Sequence, residues 1–296
     1  MSTHRVLVGT DGSAQARVAV SWAASQARRR CWPLVIAMAH EPLLMWGIAG
    51  SPGVMASADH PPMRNDAAEV LERLAQEVRG EHPGLEVSVA DVLGAAAGYL
   101  TEASAEPGLV VIGTRGLGGL RASLLGGVAD EVVTYARGPV AVIGEEGVDT
   151  GTIVVGVDEG DASAAAVEFA ADEARLRGAT LDLVRCLDVA PHVPTTNALA
   201  VMPPAYEEVE EAARASLATL LGTVADRHPD LAVTGRVVCG AAAPTLVDAS
   251  REASLVVVGS RGRGGFTGLL LGSTSRKTVR DAHGPVVVVP SSAAAG

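Results

Sequence analysis

The chain has 296 residues, of which 48% are hydrophobic, and a formal net charge of −11. This length accommodates two domains, each with a hydrophobic core. The acidic charge and the 3% aromatic content argue against binding to nucleic acid or to anionic membrane surfaces. Three cysteines without a CxxC pair, no apolar stretch near the roughly 20 residues of a membrane span, and no signal-peptide pattern predict a cytoplasmic protein without membrane insertion.

In chain order, the first half alternates between strand-like and helix-like patterns. Short apolar, β-branched runs predict strands at Val6–Val8, Pro33–Ala39, Leu85–Val92, Leu109–Ile112 and Val140–Ile143. Apolar residues at helical spacing predict helices at Ala14–Arg30, Asp66–Gly80, Ala95–Ala105 and Val128–Ala136. The Gly- and Pro-rich stretch Leu43–Pro62 predicts a loop. Strands that alternate with helices are typical of an α/β fold with a parallel sheet covered on both faces.

The second half of the chain repeats the first half. Asp11 corresponds to Asp158, Gly113 to Gly259 and Pro139 to Pro285, at spacings that agree to within one residue. A repeat of this length indicates a duplicated domain. We predict domains at 1–145 and 152–296, joined by a short polar link at Glu145–Gly151.

A glycine and an aspartate follow the first strand of each half, in Gly9-Thr10-Asp11 and Gly156-Val157-Asp158. Ligands of open α/β sheets bind at the carboxyl ends of the strands. A carboxylate there can accept hydrogen bonds from a ribose or a base. Taken alone, the motif favours another interpretation, in which the aspartate caps the next helix.

A glycine-rich segment follows the fourth strand of each half. Its glycine and hydroxyl positions are Gly113, Gly116, Gly126 and Gly127 in the first copy and Gly259, Gly262, Gly272 and Ser273 in the second. Arginines in or beside these segments are Arg115, Arg121, Arg261 and Arg263. Such a loop, followed by a helix N-terminus, can hold a phosphate through backbone amides. One copy would fit an ordinary turn with solvated arginines, whereas two copies at matching spacing favour a duplicated phosphate site.

These motifs, with the GPVxVI/V ending of each half, resemble the universal stress protein family, in its tandem ATP-binding form from actinobacteria. The resemblance implies two tandem five-stranded, mainly parallel open sheets with helices on both faces, of the adenine nucleotide alpha hydrolase-like type. It implies ATP, with or without Mg²⁺, bound in the first half by Gly9, Asp11, Ala39, Gly113, Arg115, Gly116, Gly126, Gly127 and Val128. In the second half, the implied binding residues are Gly156, Asp158, Cys186, Gly259, Arg261, Gly262, Gly272, Ser273 and Thr274.

The resemblance also implies that the halves pair through their closing strands as an internal pseudo-dimer, and that two chains form a homodimer. Two positions depart from the family pattern. Gly127 stands where the family has Ser or Thr, and the acidic Glu159-Gly160-Asp161 follows Asp158 in the second half. The missing hydroxyl leads to the hypothesis that the second half binds ATP more tightly, while the added acids oppose it.

The predicted function is a nucleotide-sensing regulator of the stress response, with a protein partner that the sequence does not identify. Two alternatives stay open: a slow ATP hydrolase or phosphotransferase, and an interaction scaffold with vestigial nucleotide sites. No general base or cluster of metal-binding carboxylates is evident beside the loops, so we predict no catalytic residues, no metal site and little or no turnover. Asp11 and Asp158 stay open as metal partners.

Overall fold

The computed structural model describes residues 4–40, 61–114, 125–144, 148, 150–158, 160–188, 205–262 and 271–291. The chain divides into a first unit, Met1–Gly144, and a second unit, Glu145–Gly296. Among the described residues, no helix combines the length and apolar character needed to cross a membrane.

The first unit contains five strands and four helices among its described residues. Its strands are β1 (Arg5–Gly9), β2 (Leu34–His40), β3 (Val87–Leu93), β4 (Gly108–Gly113) and β5 (Val140–Ile143). Its helices are α1 (Ala14–Arg30), α2 (Pro61–Glu81), α3 (Ala96–Ala103) and α4 (Gly127–Tyr135).

The second unit repeats this order in its described residues. Its strands are β6 (Thr152–Val157), β7 (Thr180–Leu187), β8 (Val233–Cys239), β9 (Leu255–Gly259) and β10 (Val286–Val289). Its helices are α5 (Asp161–Arg177), α6 (Ala205–Arg227), α7 (Ala242–Ala249) and α8 (Ser273–Asp281).

Each sheet has its first strand at the centre. The order is β3-β2-β1-β4-β5 in the first unit and β8-β7-β6-β9-β10 in the second. All pairings within these two orders are parallel, with Val6 opposite both Leu34 and Leu109, and Ile153 opposite both Leu181 and Leu255. In the first unit, β2 and β3 lie on one side of β1, and the chain then crosses to the other side to form β4 and β5. The second unit crosses in the same way, with β7 and β8 on one side of β6 and β9 and β10 on the other. A crevice for ligands is expected at the carboxyl ends of β1 and β4, and of β6 and β9.

Burial confirms the α/β prediction. The central residues of β1, β4, β6 and β9 are buried without alternation, as expected where helices cover both faces of a parallel sheet. The edge strand β3 is more exposed along its length: Val87 is buried, whereas Leu93 is 60% exposed. The hydrophobic core therefore follows the central strands, whose carboxyl ends carry the predicted motifs.

The element predictions need one correction. Helix α2 begins at Pro61, whereas the sequence predicted a loop through Pro62 and a helix from Asp66. A proline is tolerated in the first turn of a helix because the N–H that it lacks has no intrahelical partner there. The rest of that predicted loop, up to residue 60, lies outside the described residues.

Candidate functional site

A cleft of about 540 Å³ opens at the carboxyl ends of β6 and β9 in the second unit. All nine residues that the sequence assigned to ATP in that half line it: Gly156, Asp158, Cys186, Gly259, Arg261, Gly262, Gly272, Ser273 and Thr274. They come from four separate segments of the chain, which the crossing of the chain from one side of β6 to the other brings to one place. Their role in binding a ligand stays a prediction.

Gly156, the last residue but one of β6, lies against a leucine of α7. A Cβ added to Gly156 would lie 2.8 Å from Leu246 Cδ1, and a Cβ added to Gly9 would lie 2.8 Å from Leu100 Cδ1. Contacts this short do not occur between real side chains. Each glycine is therefore required by the close packing of α7 or α3 on the strand end, whether or not a nucleotide also contacts it.

Asp11 and Asp158 shape the turns that lead into α1 and α5. Asp11 Oδ1 accepts a hydrogen bond from the Ser13 amide at 3.0 Å, and Asp158 Oδ1 accepts one from the Gly160 amide at 2.9 Å. The N-cap residues of these helices are Ser13 and Gly160. The capping interpretation of the aspartates is therefore wrong, since each one forms an Asx turn two residues before the cap.

The carboxylate of Asp158 also contacts the glycine loop. A Cβ at Gly262 would overlap Asp158 Oδ2, and a Cβ at Gly160 would lie 3.1 Å from Asp158 Oδ1 and 3.8 Å from the Gly262 Cα. Gly262 is thus needed where the end of β6 meets the loop after β9. This contact joins the two motifs that the sequence identified separately.

The N-terminus of α8 forms another wall of the cleft. Gly272 is its N-cap, and within the described residues no side chain bonds to the first-turn amides as a cap. The first turn contributes Ser273, Thr274 and Ser275 to the lining. Amides and hydroxyls at a helix start form a favourable site for an anion.

Two hydrogen bonds hold α8 against the end of β9. Ser275 Oγ donates to the Gly259 carbonyl at 2.6 Å, and the Gly272 amide donates to the Ser260 carbonyl at 2.7 Å. On the other side, Ser163 Oγ accepts a hydrogen bond from the Asp158 amide at 3.0 Å. Ser163 and Ser275 are both buried, so these hydroxyls fix the walls of the cleft.

The opposite end of the cleft is apolar. Val184, Ala242 and Leu246 line it together with Cys186. Burial raises the pKa of the Cys186 thiol, and a hydrogen bond with Thr245 opposes that shift. The thiol is therefore neutral at physiological pH. This end suits a flat, uncharged group, whereas the α8 end suits an anion.

The arginines are described only in part. Arg261 lines the cleft, and its guanidinium donates a hydrogen bond to Ser291 Oγ at 3.2 Å. The predicted residues Arg115 and Gly116, the neighbouring Arg121 and Arg263, and the acidic Glu159 lie outside the described residues.

In the first unit, the described part of the predicted set occupies equivalent positions. Gly9 ends β1, Ala39 lies in β2 and Gly113 ends β4. Gly126 is the N-cap of α4, which starts at Gly127. The Gly126 amide donates to the Thr114 carbonyl at 2.8 Å, as the Gly272 amide does to Ser260. Val128, in the first turn of α4, is 43% exposed.

Sequence reasoning missed two of the hydroxyl groups of the second cleft, those of Ser163 and Ser275. The four that line it are Ser163, Ser273, Thr274 and Ser275. Their repeat equivalents in the first unit are Ala16, Gly127, Val128 and Ala129. The signal is present in the repeat alignment, but only the exchange of Gly127 for Ser273 was recognised.

Charges in the next turn of the same helices were missed as well. Asp130 and Glu131 of α4 correspond to Arg276 and Lys277 of α8. The helix after the first glycine loop therefore carries two acids where the helix after the second carries two bases. Within the described residues, no three His, Cys, Asp or Glu side chains gather as a metal-binding group.

Comparisons with known proteins agree with this fold and motif set. The model of the universal stress protein family matches residues 2–144 and 150–290. A universal stress protein of Mycolicibacterium smegmatis is 35% identical over 292 residues, covering 97% of each chain. One of Mycobacterium tuberculosis is 34% identical over 296 residues, covering 98% of each.

A solved universal stress protein of Archaeoglobus fulgidus shares the fold, with a TM-score of 0.66 at 20% identity over 98% of this chain and 97% of that one. The resemblance drawn from the motifs is confirmed by the family match over both halves. The chain belongs to the universal stress protein family, as a tandem pair of its domains.

Proposed function

We propose that this chain binds ATP in the cleft of the second unit and acts as a nucleotide-sensing regulator with little or no turnover. The observation that carries the proposal is the single cleft around which nine predicted residues gather. Its volume of about 540 Å³ lies within the roughly 300–1,000 Å³ range of small-molecule sites.

The polarity of the cleft supports a nucleotide as its ligand. Val184, Cys186 and Leu246 offer an apolar surface to an adenine ring. The amides of the first turn of α8 and the hydroxyls of Ser273 and Thr274 offer donors to phosphate oxygens. A nucleotide has the same division, with a flat base at one end and anionic oxygens at the other.

The contact between Asp158 and Gly262 supports a regulatory role. A nucleotide seated between the end of β6 and the N-terminus of α8 would touch both sides of that contact. Occupancy would then change the free energy of one loop arrangement relative to another, which is how a ligand shifts a conformational equilibrium. We place this role in the cytoplasm. Two chains are expected to associate through their closing strands, which light scattering of the purified protein would test.

The first experiment is to denature freshly purified protein, identify any released nucleotide, and then titrate the stripped protein with ATP. Recovered intact ATP and saturable binding support the proposal. Recovered ADP, with steady phosphate release by the purified chain, would favour the hydrolase alternative. An absence of both bound nucleotide and binding would favour the scaffold alternative.

A pair of cavity-filling variants assigns the binding to one cleft. Cys186→Trp fills the apolar end of the second cleft and should abolish ATP binding there, because an indole occupies the space of the base. Ala39→Trp is the matched control at the equivalent position of the first unit. Thermal unfolding of both variants checks that each still folds. If only Ala39→Trp lost ATP binding, the nucleotide site would be assigned to the first unit instead.

A further inference from the structure

Lys277 is the only lysine among the 23 Lys and Arg residues of the chain. It lies in the second turn of α8 and is exposed. The first turn of this helix lines the cleft through Ser273, Thr274 and Ser275. The single lysine of the protein is thus one helical turn from the polar end of its candidate nucleotide site.

Helix geometry puts that end within reach of the Lys277 side chain. Lys277 follows Ser273 by four residues and Thr274 by three, so all three share one face of α8. Long side chains on a helix point back toward its N-terminus and cover the preceding turn. The ammonium group can therefore reach past Ser273 and Thr274 to an anion held at the start of the helix.

The neighbouring charges leave Lys277 available for a ligand. Asp281, one turn further along, is engaged by Arg280, whose Nε lies 2.7 Å from Oδ1 and whose second nitrogen contact to Oδ2 is 3.0 Å. The hydrogen bonds with Arg280 are the main cause that lowers the pKa of Asp281, and the charge of Lys277 adds to it. Both carboxylate oxygens are nevertheless bonded to Arg280. The position equivalent to Lys277 in the first unit is Glu131, which would repel a phosphate chain.

We propose that Lys277 contacts the terminal phosphates of the bound nucleotide and makes the second cleft selective for nucleoside triphosphates over monophosphates. This inference rests on the proposed nucleotide-binding function. The phosphate nearest the ribose lies against the first-turn amides and hydroxyls, which both classes of nucleotide use equally. Further phosphates extend toward the exposed rim, where an ammonium group forms charge-assisted hydrogen bonds.

The test compares ATP and AMP binding to the stripped wild type, Lys277→Ala and Lys277→Arg by titration calorimetry. Removing an exposed, charge-assisted contact should weaken ATP binding about five- to tenfold and AMP binding less than about twofold. Lys277→Arg should retain most of the preference for ATP. Arg214→Ala, which removes an exposed charge from α6 outside the cleft lining, should leave the ratio of ATP to AMP affinity unchanged.

The outcomes separate this inference from the proposed function. Wild type that binds neither nucleotide would overturn both. Wild type that binds ATP, with Lys277→Ala losing ATP and AMP affinity equally, would overturn the selectivity and keep the nucleotide site. An equal change of the affinity ratio in Arg214→Ala would also overturn it, since net charge rather than position would then be responsible.

A second readout uses the wild type and requires no substitution. An amine-reactive ester can acylate only one lysine side chain in this protein, and peptide mass spectrometry follows the rate at Lys277. Saturating ATP should slow this acylation, whereas saturating AMP should not. Equal protection by AMP, or none by ATP at a concentration that calorimetry shows to be saturating, would overturn the inference.

Discussion

In both units a glycine near the end of the first strand lies against a leucine of the third helix, and another glycine caps the helix that follows the fourth strand. The first two turns of that helix differ between the units. In the second unit they carry the hydroxyls of Ser273 and Thr274 and then Arg276 and Lys277, whereas in the first they carry Gly127 and Val128 and then Asp130 and Glu131.

This comparison separates what the fold requires from what a ligand requires. Gly9 and Gly156 lie against buried leucines, where a Cβ would force the leucine side chain to shift. The hydroxyls of Ser273 and Thr274 satisfy no such requirement, because Ser273 is exposed and Thr274 is only half-buried at a helix start. We infer that the second unit has kept the phosphate-binding chemistry and that the first has kept mainly the frame.

The largest expected effect comes from giving α8 the charges of α4. Arg276→Asp with Lys277→Glu places four units of unfavourable charge difference beside the phosphates and should lower ATP affinity on the order of 10- to 100-fold. Titration calorimetry at two salt concentrations measures this loss, which should shrink at higher salt.

The control for this charge reversal is Arg175→Asp with Arg214→Glu, which changes the net charge equally at exposed positions away from the cleft lining. It should change ATP affinity less than about twofold. An equal loss in both double variants would mean that net charge, and not the α8 position, governs binding.

A smaller effect is expected when the hydroxyls are exchanged. Ser273→Gly with Thr274→Val gives α8 the first two residues of α4 and removes two donors. ATP affinity should fall about tenfold, from a loss of about 1.4 kcal/mol over two hydrogen bonds. The reciprocal Gly127→Ser with Val128→Thr should raise nucleotide binding by the first unit, measured in a Cys186→Trp background. Unchanged affinity in the Ser273/Thr274 variant would leave the backbone amides as the sole phosphate donors.

A third prediction concerns Gly262 and Asp158. Gly262→Ala should lower the free energy of unfolding by about 1 kcal/mol, because the new Cβ displaces the Asp158 carboxylate. In the Asp158→Ala background the same substitution should cost much less, since the overlapping oxygen is gone. Denaturant unfolding of the four proteins gives the coupling energy. Additive losses of unfolding free energy would show that the loop accommodates the new Cβ without displacing Asp158.

The smallest effect is the pH dependence contributed by Cys186. Burial raises the pKa of its thiol in the folded chain, so the folded state holds the proton more tightly than the unfolded state. The resulting stabilisation is complete below the unfolded pKa and is lost as pH rises through the higher folded pKa. As pH rises above the ordinary thiol pKa of about 8.5, wild type should lose stability more steeply than Cys186→Ala in denaturant unfolding. If the stability of wild type and of Cys186→Ala fell with pH at the same slope, the raised pKa of Cys186 would be contradicted.

Much of the fold follows from local patterns in the sequence. Helix α1 spans Ala14–Arg30 as predicted, because apolar spacing and three terminal arginines mark its face and its end. Helix α2 starts earlier than predicted. The prediction missed this start because two consecutive prolines are compatible both with a loop and with the first turn of a helix. Cys31 ends α1 in the left-handed conformation, at φ 54°, where the repeat has Gly178 and where composition alone would favour glycine.

The site was predictable in its residues but not in their contacts. Strand order places the motifs at one edge, so the lining residues of the second cleft follow from topology. The contacts of Asp158 with Gly262 and of Ser275 with Gly259 depend on how distant segments approach each other. No periodicity encodes that approach. Repeat comparison alone would have revealed the exchanged charges of α4 and α8.

The central position of β1 and β6 also determines how each unit is completed during synthesis. Val6 pairs with Leu34 on one side and with Leu109 on the other, and the second partner leaves the ribosome only after three helices. Until then, one edge of an apolar strand has no neighbour, which is the kind of edge that invites aggregation. Each unit therefore passes through this exposed stage separately, and the nascent chain needs protection twice.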